Sequence, residues 1–434
     1  MSLGVEVVVV FAVFLALLAA GMSIPFAIGV PALVYLLLHG GPLALKGLGL
    51  VSWGSMDSFT LTAIPLFILM AEILQHSGLS FRIYRGLSKI VARIPGGLLQ
   101  TNVAGCAVFA AISGSSVATA ASIGSVALPQ LIRRDYDRRL AAGSLAAGGT
   151  LGILFPPSLA MIVYGSFTET SVAKLFMAGV IPGLMLTAMF MAYISVHASL
   201  KQDVAPREAG PGDWAGVLAA AADVLPFLVL ITIIMGSIYL GLTTPTEAAA
   251  VGCLFGIVIS VIWGDLTLAA FIAAIRRTVR VLGNILFIIY TAYVFSYAIS
   301  VAGVGDEVTA FLVGLHLSKM AFFFALFALY TVLGCLVESL GMIVITVPLL
   351  YPVLLRYGFD PIWFGVILVM FIELGQISPP IGINLFVIQS IWDGKLSEVV
   401  LGTIPFHLIM FVLLLMLALW PELALWLPAH MVQR

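Results

Sequence analysis

The feature that most constrains this chain is an apolar stretch with two adjacent prolines near its middle, GTLGILFPPSLAMIVYGSF at residues 149–167. The stretch is long enough to cross a bilayer, but two successive prolines stop a helix, because proline lacks a backbone N–H and its ring clashes with the preceding turn. Backbone that is not helical at membrane depth is tolerated only where it is buried in protein or lines a polar cavity. The break at Pro156 and Pro157 therefore marks a candidate binding site.

The rest of the chain is almost as apolar as this stretch. Of its 434 residues, 62% are hydrophobic and only 9% are charged, against roughly 25% charged residues in soluble domains. Apolar runs of membrane-spanning length recur from Val7 to Trp420, which predicts an all-α polytopic membrane protein with no soluble domain. A net charge of −1 gives no reason to expect nucleic acid, and three isolated cysteines indicate neither a disulfide framework nor a metal cluster.

The double proline recurs in the second half of the chain, at Pro379 and Pro380 in IELGQISPPIGINLFVIQS. A constant offset of 223 residues from the first double proline also aligns other glycines and prolines. We therefore predict two related halves, residues 1–200 and 215–425, joined by the polar segment 201–214. The aligned pairs are Gly152 with Gly375, Gly179 with Gly402, Pro182 with Pro405 and Pro129 with Pro352.

Basic residues predict that the two halves have inverted topology, because cytoplasmic loops collect lysine and arginine. Segment 96–131 is basic on both flanks, so it is expected to leave and return to the cytoplasmic face as a re-entrant helical hairpin. The matching segment 320–354 has nearly neutral flanks and is expected to dip in from the outer face. A proline-broken transmembrane helix follows each hairpin, at 137–170 and at 361–393.

The same assignment of loops to the two membrane faces makes the linker 201–214 cytoplasmic and both termini periplasmic. Two basic amphipathic stretches, 80–93 and 267–280, are predicted to be helices that lie at the inner interface. The N-terminal stretch has no basic region before its apolar run, which favours a first membrane span over a cleaved signal.

Hairpin tips and broken helices near the membrane midplane are typical of secondary transporters. Half-helices that end before Pro156 and Pro379 present carbonyl oxygens suited to sodium, and those that begin at Ser158 and Ile381 present N–H groups suited to a carboxylate. The candidate sodium ligands are Ser113, Ser115, Ser116, Gly152 and Phe155 in the first half, and Gly334, Glu338, Ser339, Gly375 and Ser378 in the second. The candidate substrate-binding residues are Ser113, Pro157, Ser158, Pro380 and Asn384.

Ionisable residues inside apolar segments suggest function by default. Glu338 lies near the second hairpin tip, whereas Glu72 and Glu373 have two interpretations, function or pairing with helix ends and other groups. Small residues can also simply let helices pack closely, and this is the favoured interpretation of Ser122 and Gly124. The six histidines show no metal-ligand spacing and are interpreted as interface or packing residues.

These segments resemble a known family. The run SGSSVATAASIGSVALPQLIRRDYDRRLAAGSLAAGGTLGILFPPSLAMIVYGSFTETSVAKLFMAGVIPG closely resembles the large membrane subunit of tripartite ATP-independent periplasmic (TRAP) transporters, and IELGQISPPIGINLFVIQS resembles the equivalent segment of its second half. The resemblance implies a sodium-driven importer of organic acids in the bacterial inner membrane. It also implies two partners, a soluble periplasmic binding protein and a small four-span membrane subunit, here expected as a separate chain.

The resemblance further implies that one set of spans forms a fixed scaffold and that the hairpins and broken helices form a mobile elevator domain. The scaffold is then expected at 1–58 and 215–265 and the mobile domain at 96–170 and 320–393, with 80–93 and 303–318 as connecting arms. When the sodium sites of the family are transferred to the matching positions of this sequence, one falls on Ser113, Ser116, Gly152 and Phe155, and the other on Gly334, Gly375 and Ser378.

Three other classes of protein remain for comparison. A divalent-anion/sodium symporter that needs no binding protein would share the hairpins and repeats. A channel would need a continuous polar lining, and a membrane enzyme would need a nucleophile, a metal cluster or a carboxylate pair at catalytic spacing; the sequence shows neither. No ATP-binding loop of the form GxxxxGK[ST] is present, so an ion gradient or a partner must supply the energy.

Overall fold

A computed structural model describes residues 3–91, 93–201, 204–206 and 214–432. These residues form helices joined by short turns, with no β-strand in the described ranges. Eight helical segments are long and apolar enough to cross a membrane by length and composition, or up to nine if α4 (Ala63–His76) and α5 (Leu79–Val91), which bend by 71° at their junction, count as one. The predicted all-α, polytopic class is confirmed.

The two halves of the chain show a similar succession of helices. A short 3₁₀ turn, Leu45–Gly47, separates the second and third helices. The remaining helices of the first half are α1 (Leu3–Ala19), α2 (Ile24–Ala44), α3 (Leu48–Met56), α6 (Leu98–Ser113), α7 (Ser116–Arg133), α8 (Arg138–Leu154), α9 (Leu159–Thr168) and α10 (Val172–Leu200). Those of the second half are α11 (Trp214–Tyr239), α12 (Pro245–Ile262), α13 (Leu268–Val301), α14 (Val304–Gly314), α15 (Lys319–Gly334), α16 (Ser339–Arg356), α17 (Pro361–Gln376), α18 (Ile383–Ile391), α19 (Leu396–Leu419) and α20 (Glu422–Ala429).

The α6–α7 and α15–α16 pairs coincide with the segments predicted as hairpins, 96–131 and 320–354. Each is followed by a helix interrupted at a double proline, α8–α9 and α17–α18, and the Pro–Pro bond is cis in both breaks. The direction from which each hairpin enters a membrane stays a prediction. Most of the predicted linker 201–214 lies outside the described residues.

Polar caps fix where the helices around the first hairpin begin. Ser115 precedes α7 in an extended conformation, and its side chain accepts a hydrogen bond from the Ala118 N–H. Asp137 does the same for the Leu140 N–H of α8, at 2.7 Å. At the other end, α6 stops at Gly114, whose φ of +60° is a left-handed conformation that favours glycine. The hairpin therefore turns within Ser113–Ser116.

Helices α8 and α17 form the centre of the molecule. Every residue from Leu140 to Leu154 is buried, as is every residue from Trp363 to Gln376. Helix α8 crosses α19 in direct backbone contact, because a Cβ on Gly143 would overlap the Gly402 carbonyl. Close approach through paired glycines is a common way for membrane helices to associate.

The structure corrects two sequence expectations. Segment 267–280 is not a separate interfacial helix, because it forms the first part of the continuous 34-residue helix α13. Helix α18 begins at Ile383 and not at Ile381, because Gly382, with a φ of +46°, precedes it. The other basic stretch, 80–93, does contain a separate helix, α5.

Candidate substrate and ion site

The first hairpin tip lies directly against the first helix break. The Leu159 N–H, in the first turn of α9, donates a hydrogen bond to the Gly114 carbonyl at 3.3 Å. A Cβ on Gly114 would lie 2.6 Å from the Pro157 carbonyl oxygen, so no larger residue fits without a shift. Three of the predicted segments, the tip, the break and the start of α9, therefore meet at one place.

Oxygen atoms of the first tip converge on α8. The Ser113 Oγ lies 2.7 Å from the Thr119 Oγ1 and 3.3 Å from the Ser115 carbonyl oxygen, to which Thr119 also donates at 2.8 Å. A Cβ on Gly152 would overlap this carbonyl and lie 2.6 Å from the Thr119 Oγ1. The structure thus brings Ser113, Ser115 and Gly152 together. Sequence reasoning missed Thr119, although its place one turn after Ser115 on α7 is a signal that could have found it.

The other two predicted ligands of this half lie at the edges of the cluster. Ser116 is buried as the first residue of α7. Phe155 follows the last residue of α8, and its ring packs against α10, where a Cβ on Gly183 would lie 3.1 Å from it. The aromatic ring therefore points to α10, which leaves only backbone groups of Phe155 as possible ion ligands.

A second cluster joins the α15–α16 turn to the second break. A Cβ on Gly334 would lie 2.6 Å from the Gly375 Cα, so the two backbones touch. The Cys335 Sγ lies 3.4 Å from the carbonyl oxygens of both Ser378 and Pro379, and its thiol proton is nearest to the Thr331 carbonyl of its own helix, at 3.2 Å. Gly334, Gly375 and Ser378 are therefore brought together as expected, and Cys335 is an addition that the sequence did not indicate.

The Ser378 hydroxyl is already engaged within this second cluster. It donates to the Leu374 carbonyl at 2.7 Å and lies 3.5 Å from the His407 Nε2. His407, interpreted from the sequence as a packing residue, is thus a neighbour of a predicted sodium ligand. The first tip differs, because the Ser113 hydroxyl contacts other oxygens of the tip itself.

Both hairpin tips reach one large cavity of about 900 Å³. Ser113, Gly114 and Ser115 line it from the first hairpin, and Glu338, Ser339 and Leu340 line it from the second. Gly375 and Ser378, with which Glu338 and Ser339 were grouped from the sequence, are not among the residues that line this cavity. The Ser339 hydroxyl donates to the Glu338 carboxylate at 3.4 Å.

Helices α4 and α13 complete the cavity with charged and polar groups. Arg277 on α13 lies 3.9 Å from the Glu72 carboxylate on α4, which is also 3.4 Å from the His76 ring. Gln75, on α4, donates to the Ser122 hydroxyl of the first hairpin at 2.7 Å. The polar residues that α4 and α13 contribute to the wall are Glu72, Gln75, His76, Arg277, Arg280 and Asn284.

The predicted substrate residues divide between this cavity and other places. Ser113 lines the cavity, whereas the buried Ser158 caps α9 by accepting from the Met161 N–H and donating to the Ile153 carbonyl at 2.6 Å. Helix α9 reaches the cavity through Leu159 and Ala160. Pro157, Pro380 and Asn384 are not among the residues that line it.

Asn384 and two residues of α17 are polar groups buried in the interior. The Asn384 side-chain amide donates to the Ala146 carbonyl at 3.4 Å, but its oxygen has no hydrogen-bond partner among the described residues. The carboxylate of Glu373 and the amide of Gln376 also have none there. In the same described ranges, no group of three or more His, Cys, Asp or Glu side chains is placed to hold a metal ion.

Comparison with known proteins decides the family. The family model of the tripartite ATP-independent periplasmic transporter, DctM component, matches residues 11–423. The chain belongs to this family. It is a TRAP transporter permease subunit and a multi-pass membrane protein, and its relatives are named as transporters, which confirms that it is not an enzyme.

Two relatives show how completely the TRAP resemblance covers the chain. The C4-dicarboxylate TRAP transporter large permease protein DctM of Pseudomonas aeruginosa is 34% identical over 89% of this chain and 90% of its own length. The protein of the same name from Rhodobacter capsulatus is 32% identical over 97% of this chain and 98% of its own length. Among solved structures, the YdaH transporter of Alcanivorax borkumensis covers 88% of this chain with a TM-score of 0.64 and 16% identity, which shows a shared fold alone.

Proposed function

We propose that this chain is the permease subunit of a sodium-coupled, binding-protein-dependent transporter that imports a small organic acid. A C4-dicarboxylate is the first candidate substrate, because both relatives described above are named for that class. The observation that carries the proposal is the single cavity reached by both hairpin tips and by the start of α9. An α-helix N-terminus favours a carboxylate through its dipole and through first-turn N–H groups, of which that of Ala160 belongs to a residue on the cavity wall. Hydroxyl groups of the tip can bind a cation beside this carboxylate.

The proposed sodium sites are the two oxygen clusters at the hairpin tips. The first combines the Ser113 and Thr119 hydroxyls with the Ser115 carbonyl, and hydroxyl and carbonyl oxygens are the ligands that hard cations prefer. The second combines backbone around Gly334 and Gly375 with Ser378. Binding of sodium beside the substrate would couple uptake to the sodium gradient.

Transport is proposed to follow an elevator mechanism in which the hairpins and broken helices move as one body. Helix α5 is suited to be a connecting arm, because its side chains contact both the proposed scaffold and the first hairpin. Its Arg85 pairs with Asp223 of α11 at 3.0 Å, whereas its Tyr84 donates to Asn102 of α6 at 3.1 Å. Movement of the hairpin body relative to α11 would then bend the chain at the ends of α5.

The proposed assembly contains two further chains, a small four-span membrane subunit and a soluble periplasmic binding protein. Its proposed location is the bacterial inner membrane, with both termini periplasmic, because basic residues concentrate on the loops assigned to the cytoplasm. The soluble protein would deliver the substrate to the outer face of the permease.

Reconstitution in proteoliposomes tests this function. We expect uptake of labelled succinate only when the permease, its small subunit, its binding protein and an inward sodium gradient are all present. Equal uptake without the binding protein would favour the divalent-anion symporter. Equal uptake with potassium in place of sodium would contradict sodium coupling.

A cross-link between α4 and α7 tests the moving-body mechanism. Helix α4 packs tightly on α12, where a Cβ on Gly252 would lie 2.9 Å from the Met70 sulfur, so α4 is assigned to the fixed part. Because the side chains of Gln75 and Ser122 touch, cysteines introduced by Gln75→Cys and Ser122→Cys lie within reach of a short bis-methanethiosulfonate cross-linker, which joins the two bodies through two disulfide bonds. Uptake should stop on cross-linking and return on reduction, with each single variant as control. Normal uptake by fully cross-linked protein would contradict the mechanism.

A further inference from the structure

Helix α13 contributes a polar stripe to the large cavity. Arg277, Arg280 and Asn284 all line it, and their spacing of three and four residues places them on one face of the helix. From the sequence, the two arginines belong to a stretch expected to anchor an interfacial helix. The continuous α13 instead places them on the wall of the cavity that contains the hairpin tips.

A smaller cavity of about 300 Å³ shares these arginines. His76, Arg277 and Arg280 line both cavities, and we call these three residues the cationic collar. The smaller cavity adds Arg276 and three apolar residues, and none of its lining residues is a carboxylate. The collar therefore separates a mixed polar cavity from a space whose charged lining is entirely cationic.

Nearby carboxylates leave the collar with an excess of positive charge. Glu72 alone is shared between Arg277, at 3.9 Å, and His76, at 3.4 Å. The other carboxylate on the large cavity, Glu338, belongs to the opposite element, the second hairpin tip, where Ser339 donates to it. Among the described residues, Arg280 has neither an ion pair nor a hydrogen bond.

We propose that the cationic collar is a second anion subsite, which binds the far carboxylate of a dicarboxylate whose first carboxylate lies at the hairpin tips. Guanidinium groups suit this role because they donate two parallel hydrogen bonds to one carboxylate. A cavity of about 900 Å³ is large enough for both ends of a small substrate. The inference rests on the proposed function, and it adds the residues that would bind the second anionic group of the dicarboxylate proposed there.

Inhibition from inside proteoliposomes tests the subsite. Binding protein added outside selects permeases with the outer face exposed, and succinate or butyrate is loaded inside. The measured quantity is the internal succinate concentration that halves the uptake of labelled succinate. Arg280→Gln should raise this concentration about tenfold, as expected for loss of one charge-assisted contact. Butyrate, which has a single carboxylate, should inhibit both proteins equally. Arg280→Lys should restore part of the succinate sensitivity, and Arg276→Gln, which lines only the smaller cavity, should change little.

Two results would overturn the subsite: unchanged succinate inhibition in Arg280→Gln, or an equal loss for butyrate. A lipid phosphate is the other source of the same anion chemistry, so the experiment is repeated with and without phosphatidylglycerol. An effect of Arg280→Gln that occurs only with this lipid would assign the collar to a headgroup. Succinate-dependent thermal stabilisation of the purified membrane complex is measured in parallel. Stabilisation that depends on Arg280 would support the subsite even if sodium-driven uptake, and with it the proposed function, failed.

Discussion

The two helix breaks share a sequence pattern but not an environment. In the first, Phe155–Ser158 are all buried, and Ser158 caps the helix that follows. In the second, the chain is non-helical from Ile377 to Gly382, and its residues 379–381 are exposed. The first break is thus covered by its hairpin tip, whereas the second is contacted by Cys335 and His407 but leaves residues 379–381 exposed.

This difference shows that a repeated motif can serve two roles in one conformation. The first break lies beside the large cavity through Gly114 and Leu159, whereas the second touches its hairpin through Gly334 and Gly375, neither of which lines the cavity. Under the proposed mechanism, the two halves predicted to be related would differ in environment within any one conformation. Substitutions at matched positions should therefore have unequal effects.

The largest expected effect is at the contact between α8 and the first hairpin tip. Gly152→Ala places a methyl group against the Ser115 carbonyl and Thr119, which must separate the tip from α8. We expect uptake to fall by at least about tenfold, with overpacking costing about 1–3 kcal/mol of stability. Gly236→Ala is the control, because nothing lies within 4 Å of its added Cβ. Normal uptake and an unchanged thermal midpoint in Gly152→Ala would show that the tip and α8 are not held together as described.

A smaller effect should distinguish the caps of the two breaks. Ser158→Ala removes the buried hydroxyl that caps α9 and should destabilise the protein by about 1 kcal/mol. Ile381→Ala alters an exposed residue at the equivalent place and should leave stability nearly unchanged. Thermal midpoints of the two purified variants in detergent make the comparison. Equal losses would mean that the second break is as closely packed as the first.

The sequence was sufficient to locate the helix breaks and the turns around the candidate site. Double prolines predicted both breaks, since proline cannot continue a helix, and the 223-residue offset predicted a matching set of helices in the second half. Serines in SGSS predicted the first tip, where Ser113 and Ser115 do meet Gly152. These features follow from local chain chemistry, which sequence patterns record directly.

The remainder depends on which helices pack together. Cys335 meets the second break only because Gly334 and Gly375 let α15 and α17 touch, and no local pattern indicates that contact. The positive-inside rule uses Arg277 and Arg280 only to assign their segment to the cytoplasmic face of the membrane. It gives no information on the direction in which their side chains point. Their place on the cavity depends on the continuity of α13 and on its packing against α4.

The sodium dependence of uptake by Ser113→Ala tests the central claim, that the first tip holds a coupling ion, most directly. Its hydroxyl lies among the Thr119 and Ser115 oxygens, so its loss should raise the sodium concentration for half-maximal uptake about fivefold, the equivalent of about 1 kcal/mol. Ser378→Ala, whose hydroxyl donates back to Leu374, should raise it less. The account predicts a larger increase in this sodium concentration for Ser113→Ala than for Ser378→Ala, with the thermal midpoints of both variants equal to that of the wild type. An unchanged sodium curve in Ser113→Ala would contradict it.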